Sequence, residues 1–217
     1  MIFENLDRVV FAGDSVTDAG SQQPVGEGGT LGSGFVREID NMLSVWYPEL
    51  KIRITNAGHS GAKSSDYLSC FDRDVTEPTP YPDWVAICLG INDVWRQFDN
   101  PSQVDRHVSP EMYRNNIEEM ILKVKGKVKG IFIMTPYIME PCKEDMMRRR
   151  MDEYGKICKE LAEKHNCIFI DFQKMYDKYL EHYHSAYIAW DRIHPNQRGA
   201  VLMAREFLNH CGFDWNR

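Results

Sequence analysis

The chain has 217 residues, 43% hydrophobic and 27% charged, with a formal net charge of −6 and a pI of about 5.7. That length can bury one full core, and a single domain spanning 1–217 is expected. The acidic balance argues against nucleic acid as a partner, because the nearest thing to a basic block, Arg148-Arg149-Arg150, sits in a helical pattern with acidic residues close by.

In chain order, Met1 to Asp7 contains neither a basic n-region nor an apolar h-region, and no window approaches the length of a membrane span. A cytoplasmic chain without a membrane partner is expected. The stretch Arg8 to Gly20 then opens with the apolar run Val9-Val10-Phe11-Ala12 and stops at Gly13-Asp14-Ser15. Such a break predicts a buried strand ending in a tight turn, with Ser15 presented at the carboxyl edge of a parallel sheet. Read alone, Gly-Asp-Ser is better explained as a helix start capped by Asp14 or Ser15. The glycine-rich stretch Gly20 to Gly34 fails the dinucleotide pattern, since counting from Gly26 puts Leu31 at the third glycine position; a surface loop over the site is expected.

Phe35, Ile39, Met42, Leu43 and Trp46 recur at helical spacing up to Tyr47-Pro48. Lys51 to Thr55 alternates as a strand, and Asn56-Ala57-Gly58-His59-Ser60-Gly61 breaks it with a glycine turn at the same sheet edge. A glycine at 58 lets the backbone approach a ligand, so its N–H can face a site. Ser60 is a rival nucleophile, but Ala62 stands where a Gly-x-Ser-x-Gly elbow needs its second glycine. Ser64 and Ser65 read as caps of a helix through Tyr67, Leu68, Phe71 and Val75. Trp84 to Leu89 is the unbroken apolar run of a strand buried on both faces, ending in Gly90-Ile91-Asn92-Asp93 and a short polar segment.

A helix through Tyr113, Ile117, Met120, Ile121 and Val124 and a strand Gly130 to Met134 follow. A long helix then turns Met147, Met151, Tyr154, Cys158 and Leu161 inward, where the methionines read as core. Cys167 to Asp171 is the fifth strand, Phe172 to Glu181 a helix, and a last helix carries Ala200, Ala204, Phe207, Leu208 and Cys211. His182 and His184 form a His-x-His pair with no further ligand at suitable spacing, read as a solvated helix end. The six cysteines include no Cys-x-x-Cys and read as reduced thiols, so no metal and no cofactor is expected.

A serine hydroxyl needs a base to take its proton and a third group to orient that base. Asp191 and His194, three residues apart on a turn before a helix, can supply both: the carboxylate folds back onto Nδ1 and leaves Nε2 facing Ser15. In isolation His194 reads as a helix-start residue stacked on Pro195; together with Ser15 the triad explains more. The backbone N–H groups of Ser15 and Gly58 and the side-chain amide of Asn92 are candidate oxyanion donors. Asn92 alone reads as a turn residue after Gly90.

Taken in order, Gly13-Asp14-Ser15, Asn56-Ala57-Gly58, Gly90-Ile91-Asn92-Asp93 and Asp191-Arg192-Ile193-His194-Pro195 resemble the four blocks of the GDSL or SGNH hydrolase superfamily, and they span nearly the whole chain. The resemblance implies Ser15 as nucleophile, His194 as base with Asp191 as its partner, and Gly58 and Asn92 in the oxyanion hole. It also implies a flavodoxin-like, three-layer α/β/α fold around a five-stranded parallel sheet. The block Gly13 through Gly20 resembles the intracellular, acetylxylan esterase-like branch.

Outside the blocks, Trp95 and Trp190 stand next to the site residues and would suit sugar rings and a short acyl pocket; each is as readily a core residue. Arg96 and Arg192 could touch a polar substrate or form surface salt bridges. The expectation is an esterase acting on acetylated xylo-oligosaccharides through an acyl-enzyme. The alternatives are a thioesterase, lysophospholipase or acetylhydrolase of lipid-like esters, acyl transfer to a sugar, or a non-catalytic flavodoxin-like binding module. Oligomeric state is left open, a homo-oligomer included. Activity should fall near or somewhat below neutrality, where an ordinary imidazole of pKa about 6.5 becomes protonated.

Overall fold

The computed structural model describes residues 1–21 and 31–217, so most of the glycine-rich stretch expected to loop over the site, 22–30, lies outside the described residues. Five strands, β1 (Arg8–Gly13), β2 (Arg53–Gly58), β3 (Trp84–Cys88), β4 (Gly130–Met134) and β5 (Ile168–Ile170), form one wholly parallel sheet in the order β2-β1-β3-β4-β5. β1 and β3 lie inside the sheet and are buried at every position, which accounts for their unbroken apolar runs beyond Arg8.

The helices among the described residues are α1 (Ser15–Asp18), α2 (Phe35–Trp46), α3 (Ser64–Phe71), α4 (Ile91–Asp99), α5 (Pro110–Val124), α6 (Met146–His165), α7 (Phe172–Leu180) and α8 (Gln197–His210). Two groups of helices sandwich the sheet: α2, α7 and α8 pack together on one side, and α3, α5 and α6, joined by α4, on the other. The α2/α8 side is sealed by aromatic contacts. Phe11 of β1 meets Phe35 at 5.8 Å and Phe207 at 5.0 Å between ring centroids, and Phe132 of β4 meets Phe207 at 4.7 Å. The result is the expected three-layer α/β/α architecture.

Register places the ends of three strands level. Gly13 lies opposite both Gly58 and Cys88, so β1, β2 and β3 stop together at their carboxyl ends. β1 runs between β2 and β3, where the chain winds to opposite sides of the sheet, and in open α/β sheets that is where a crevice forms. Two glycines are dictated by packing there. A Cβ on Gly13 would lie 2.0 Å from Thr17 Oγ1 and 2.8 Å from the Cys88 carbonyl; one on Gly58 would lie 2.3 Å from the Asp18 nitrogen. The short helix α1 is therefore pressed against the ends of β1 and β2, and Ser15 with it.

Three local readings of the sequence are revised. The residues after Asn92, expected to be a polar segment, belong to α4, whose first four residues are buried. Asn56-Ala57-Gly58 is the end of β2 and not a turn, because pairing with β1 continues through Gly13–Gly58. Lys63, not a serine, precedes the first turn of α3; Ser64 lies inside the helix and is buried.

Candidate active site

The turn out of β1 places Ser15, the expected nucleophile. Asp14 is in extended conformation and accepts from the Val16 N–H (3.0 Å) through Oδ1, capping α1 so that Ser15 becomes its first residue. Ser15 Oγ lies 2.8 Å from His194 Nε2. On the other side of the ring, His194 Nδ1 lies 2.6 Å from Asp191 Oδ2. A carboxylate only accepts, so Nδ1 carries the proton it donates, and the Nε2 lone pair is left to accept from the Ser15 hydroxyl. The second oxygen of Asp191 accepts from the Ile193 (3.0 Å) and His194 (2.8 Å) N–H groups, which folds residues 191–194 into the turn that the three-residue spacing requires. Burial pushes the Asp191 carboxyl up, but these hydrogen bonds from the His194 side chain and the two backbone groups outweigh it and hold the pKa below the usual value.

The three expected oxyanion donors gather at the same edge with different degrees of freedom. The Ser15 N–H opens α1, where the first turn has no intrahelical acceptors. Asn92 is 2% exposed; its Nδ2 donates to the Ala62 carbonyl (3.1 Å), which leaves one of its two N–H bonds for a ligand. Gly58 N–H donates to Asn56 Oδ1 at 2.9 Å, so it reaches an oxyanion only as a shared donor. Asn56 also donates from Nδ2 to the Thr17 (2.7 Å) and Leu31 (2.9 Å) carbonyls, tying β2 to α1.

A family model described as the GDSL-like lipase/acylhydrolase family matches residues 11–202. The chain belongs to this family. Its sequence is 42% identical over 213 residues to an acetylxylan esterase of Geobacillus stearothermophilus, covering 97% of this chain and 96% of that protein. A crystal structure of the Geobacillus stearothermophilus acetylxylan esterase Axe2 superposes with a TM-score of 0.96 at 42% identity, covering 100% of this chain and 99% of that one. LAE5, an alpha/beta hydrolase from the metagenome of Lake Arreo in Spain, superposes with a TM-score of 0.94 at 43% identity over 98% of each chain. The family match thus takes in the end of β1, strands β2 to β5 and all four sequence blocks.

Of the two tryptophans expected near the site, Trp95 is half-buried with its ring 5.9 Å from that of His194. Trp190 is 86% exposed and lines, with Asp191, Arg192, His182 and Tyr183, an outer cavity of about 640 Å³. His182 and His184 are exposed at the expected helix end. All six cysteines are free thiols, and Cys142 is exposed. His59, Cys70 and Asp74 bring potential metal-ligand atoms within 4.8 Å of one another. Their donors are engaged, however: Asp74 accepts from His59 (2.7 Å) and, through both oxygens, from Arg73 (2.8 Å each), and burial pushes the Cys70 thiol up to about 11.

Arg96 and Arg192 form the salt bridges considered for them, with Asp99 and Glu140, but several further contacts around the site escaped sequence reading. Arg96 donates to Asn92 Oδ1 (3.3 Å) and stacks over Trp95 at 5.1 Å. Asp93 accepts from Ser64 through its N–H (2.9 Å) and Oγ (2.5 Å), locking α4 to α3 beside Asn92. Arg192 has a left-handed φ of 67° and is held there by Glu140 Oε2 (2.5 Å) and by the Met139 N–H donating to its carbonyl (2.8 Å). The i, i+4 spacing of Asn92 and Arg96 was the one signal available for these contacts, and it carries weight only if residues 91–99 are read as a helix.

Proposed function

We propose that this chain, acting as one unit from 1 to 217, is a serine esterase that removes acetyl groups from xylo-oligosaccharides without metal or cofactor. The observation that carries the reading is the unbroken series of hydrogen bonds from Ser15 Oγ through both ring nitrogens of His194 to Asp191. In the first half-reaction Ser15 Oγ attacks the acetyl carbonyl as its proton passes to His194 Nε2. Asp191 stabilises the imidazolium. The oxyanion of the tetrahedral intermediate accepts from the Ser15 N–H and Asn92 Nδ2–H, with Gly58 as a shared third donor. Collapse breaks the bond to the sugar oxygen, which takes the proton from His194 and leaves acetyl-Ser15. Water, deprotonated by the same histidine, then releases acetate.

The choice of acetylated saccharide rests on the 42% identity to an acetylxylan esterase. Trp95, half-buried beside His194, gives an aromatic wall suited to a short acyl group or a sugar face. Trp190 borders the site from the outer cavity. The free thiols fit a reducing, cytoplasmic setting. No helix among the described residues is long and apolar enough to cross a membrane. The test of the oxyanion assignment is Asn92→Ala: kcat for acetate release should fall about 10²- to 10³-fold with KM little changed, and an unchanged kcat would remove Asn92 from the transition state.

A further inference from the structure

Against a net charge of −6, one cavity near the site has the opposite character. It lies between the start of α3, the end of α4 and the turn Val104–Arg106, holds about 440 Å³, and is lined by Lys63, Arg96, Arg106 and His107 with Asp66 as its one carboxylate. The volume is that of a small-ligand pocket. The cations are held in place. Arg96 pairs with Asp99, lies over Trp95 and donates to Asn92. Lys63 Nζ donates to the Arg106 carbonyl at 3.0 Å and stands 3.9 Å from Asp66. Among the described residues no carboxylate lies within ion-pairing distance of the Arg106 guanidinium.

The cavity shares a side chain with the candidate site. Arg96 forms its wall and touches Asn92, the candidate oxyanion donor; Trp95, beneath the same guanidinium, faces His194. A saccharide with its ester at Ser15 engages this cavity if its neighbouring sugar lies along Arg96. Guanidinium forks match carboxylates in a planar, two-point fashion, and clustered cations in a cleft raise the local concentration of anionic substrate.

We propose that this cavity is a subsite for a carboxylate-bearing sugar, so that the preferred substrates are acetylated oligosaccharides carrying a uronic acid branch. The proposal rests on the esterase reading above and extends it from neutral to acidic saccharides. Lys63, Arg96 and Arg106 would hold the carboxylate, and Gln103 and His107 the hydroxyls of the same ring.

Calorimetric titration separates the two claims, since binding needs no turnover. Deacetylated xylo-oligosaccharides with and without a uronic acid branch are titrated into the wild type and Arg106→Gln, at low salt and at 0.5 M salt, with free glucuronate as a further ligand. The branched acid should bind about tenfold more tightly than its neutral counterpart in the wild type, and that ratio should approach one in Arg106→Gln and at high salt, while Arg106→Lys restores most of it. Equal affinity of the two saccharides in the wild type would overturn the proposal. So would a preference that survives in Arg106→Gln, or free glucuronate binding as tightly as the branched oligosaccharide. Acetate release from neutral and uronic acid-branched acetylated oligosaccharides, measured in parallel, tests the esterase reading; failure with both would sink that reading and the substrate claim built on it, while the calorimetric preference would still decide the carboxylate subsite.

Discussion

In the proposed reaction Ser15, His194 and Asp191 work together only in one imidazole tautomer, and the residue placed to fix it is Asp191. Its position, 9% exposed at the side chain and bonded to Nδ1 and two backbone N–H groups, makes the ring orientation a property of the turn. Asp191→Asn should therefore lower kcat by about 10³- to 10⁴-fold while leaving the fold intact, because an amide donor at Nδ1 favours the wrong tautomer; a loss under tenfold would show that the turn alone positions the ring. Asp14 is a residue of a different kind. It is fully buried, its Oδ2 has no partner among the described residues, and burial, reinforced by the charge of Asp93 and only partly offset by the Val16 N–H, pushes its pKa up to about 7. Asp93 is likewise raised by burial, to about 6. Folded molecules thus hold these protons more tightly than unfolded ones, and stability is lost as pH rises from about 4 through 7. Asp14→Asn keeps the cap and removes the charge. It should be more stable than the wild type by about 1–3 kcal/mol at pH 8 and close to it at pH 4, read from urea midpoints; a pH-independent difference would mean that Asp14 does not titrate in this range.

At the scale of elements, the site is a meeting of strand ends with short connections held by polar struts. Gly13, Gly58 and Cys88 end level, α1 is clamped by Asn56, and the 191–194 turn leans on residues 139–140. Arg192, with φ of 67°, adopts a conformation that a non-glycine residue holds only when its surroundings insist. Glu140→Ala removes the side-chain half of that restraint. Because the pair is half-exposed its stability cost should be under about 1 kcal/mol, yet kcat should drop several-fold as His194 loses its fixed placement; an unchanged kcat would show that the Met139 contact suffices. The strands and core helices were legible in the sequence because their periodicity reflects burial on one or both faces. α4 was not: its buried face consists of Ile91, Asn92, Asp93 and Val94, two of them polar, and polar residues serving a site read as loop. The same cause hid Asn56 within β2 and Ser64 within α3, where side chains expected at turns and caps bind buried partners instead.

On the scale of the whole molecule, the sheet order β2-β1-β3-β4-β5 gathers residues 15, 58 and 92 from successive crossovers, and α8 is entered through the turn that brings 191 and 194 to them from the far end of the chain. Four sequence blocks could be read as one site because their order fits that winding. What the sequence did not give was which donors are already engaged, since the Gly58 N–H bond to Asn56 and the Arg96 contact with Asn92 depend on side-chain placement within the fold. Nor did it show that the cations at 63, 96 and 106, scattered along an acidic chain, share a cavity. The most direct measurement is acetate release from acetylated xylo-oligosaccharides by the wild type and by Ser15→Ala under identical conditions. Release by the wild type that falls at least about a thousandfold in Ser15→Ala is the expected result. Equal release by both proteins would contradict an acyl-enzyme on Ser15.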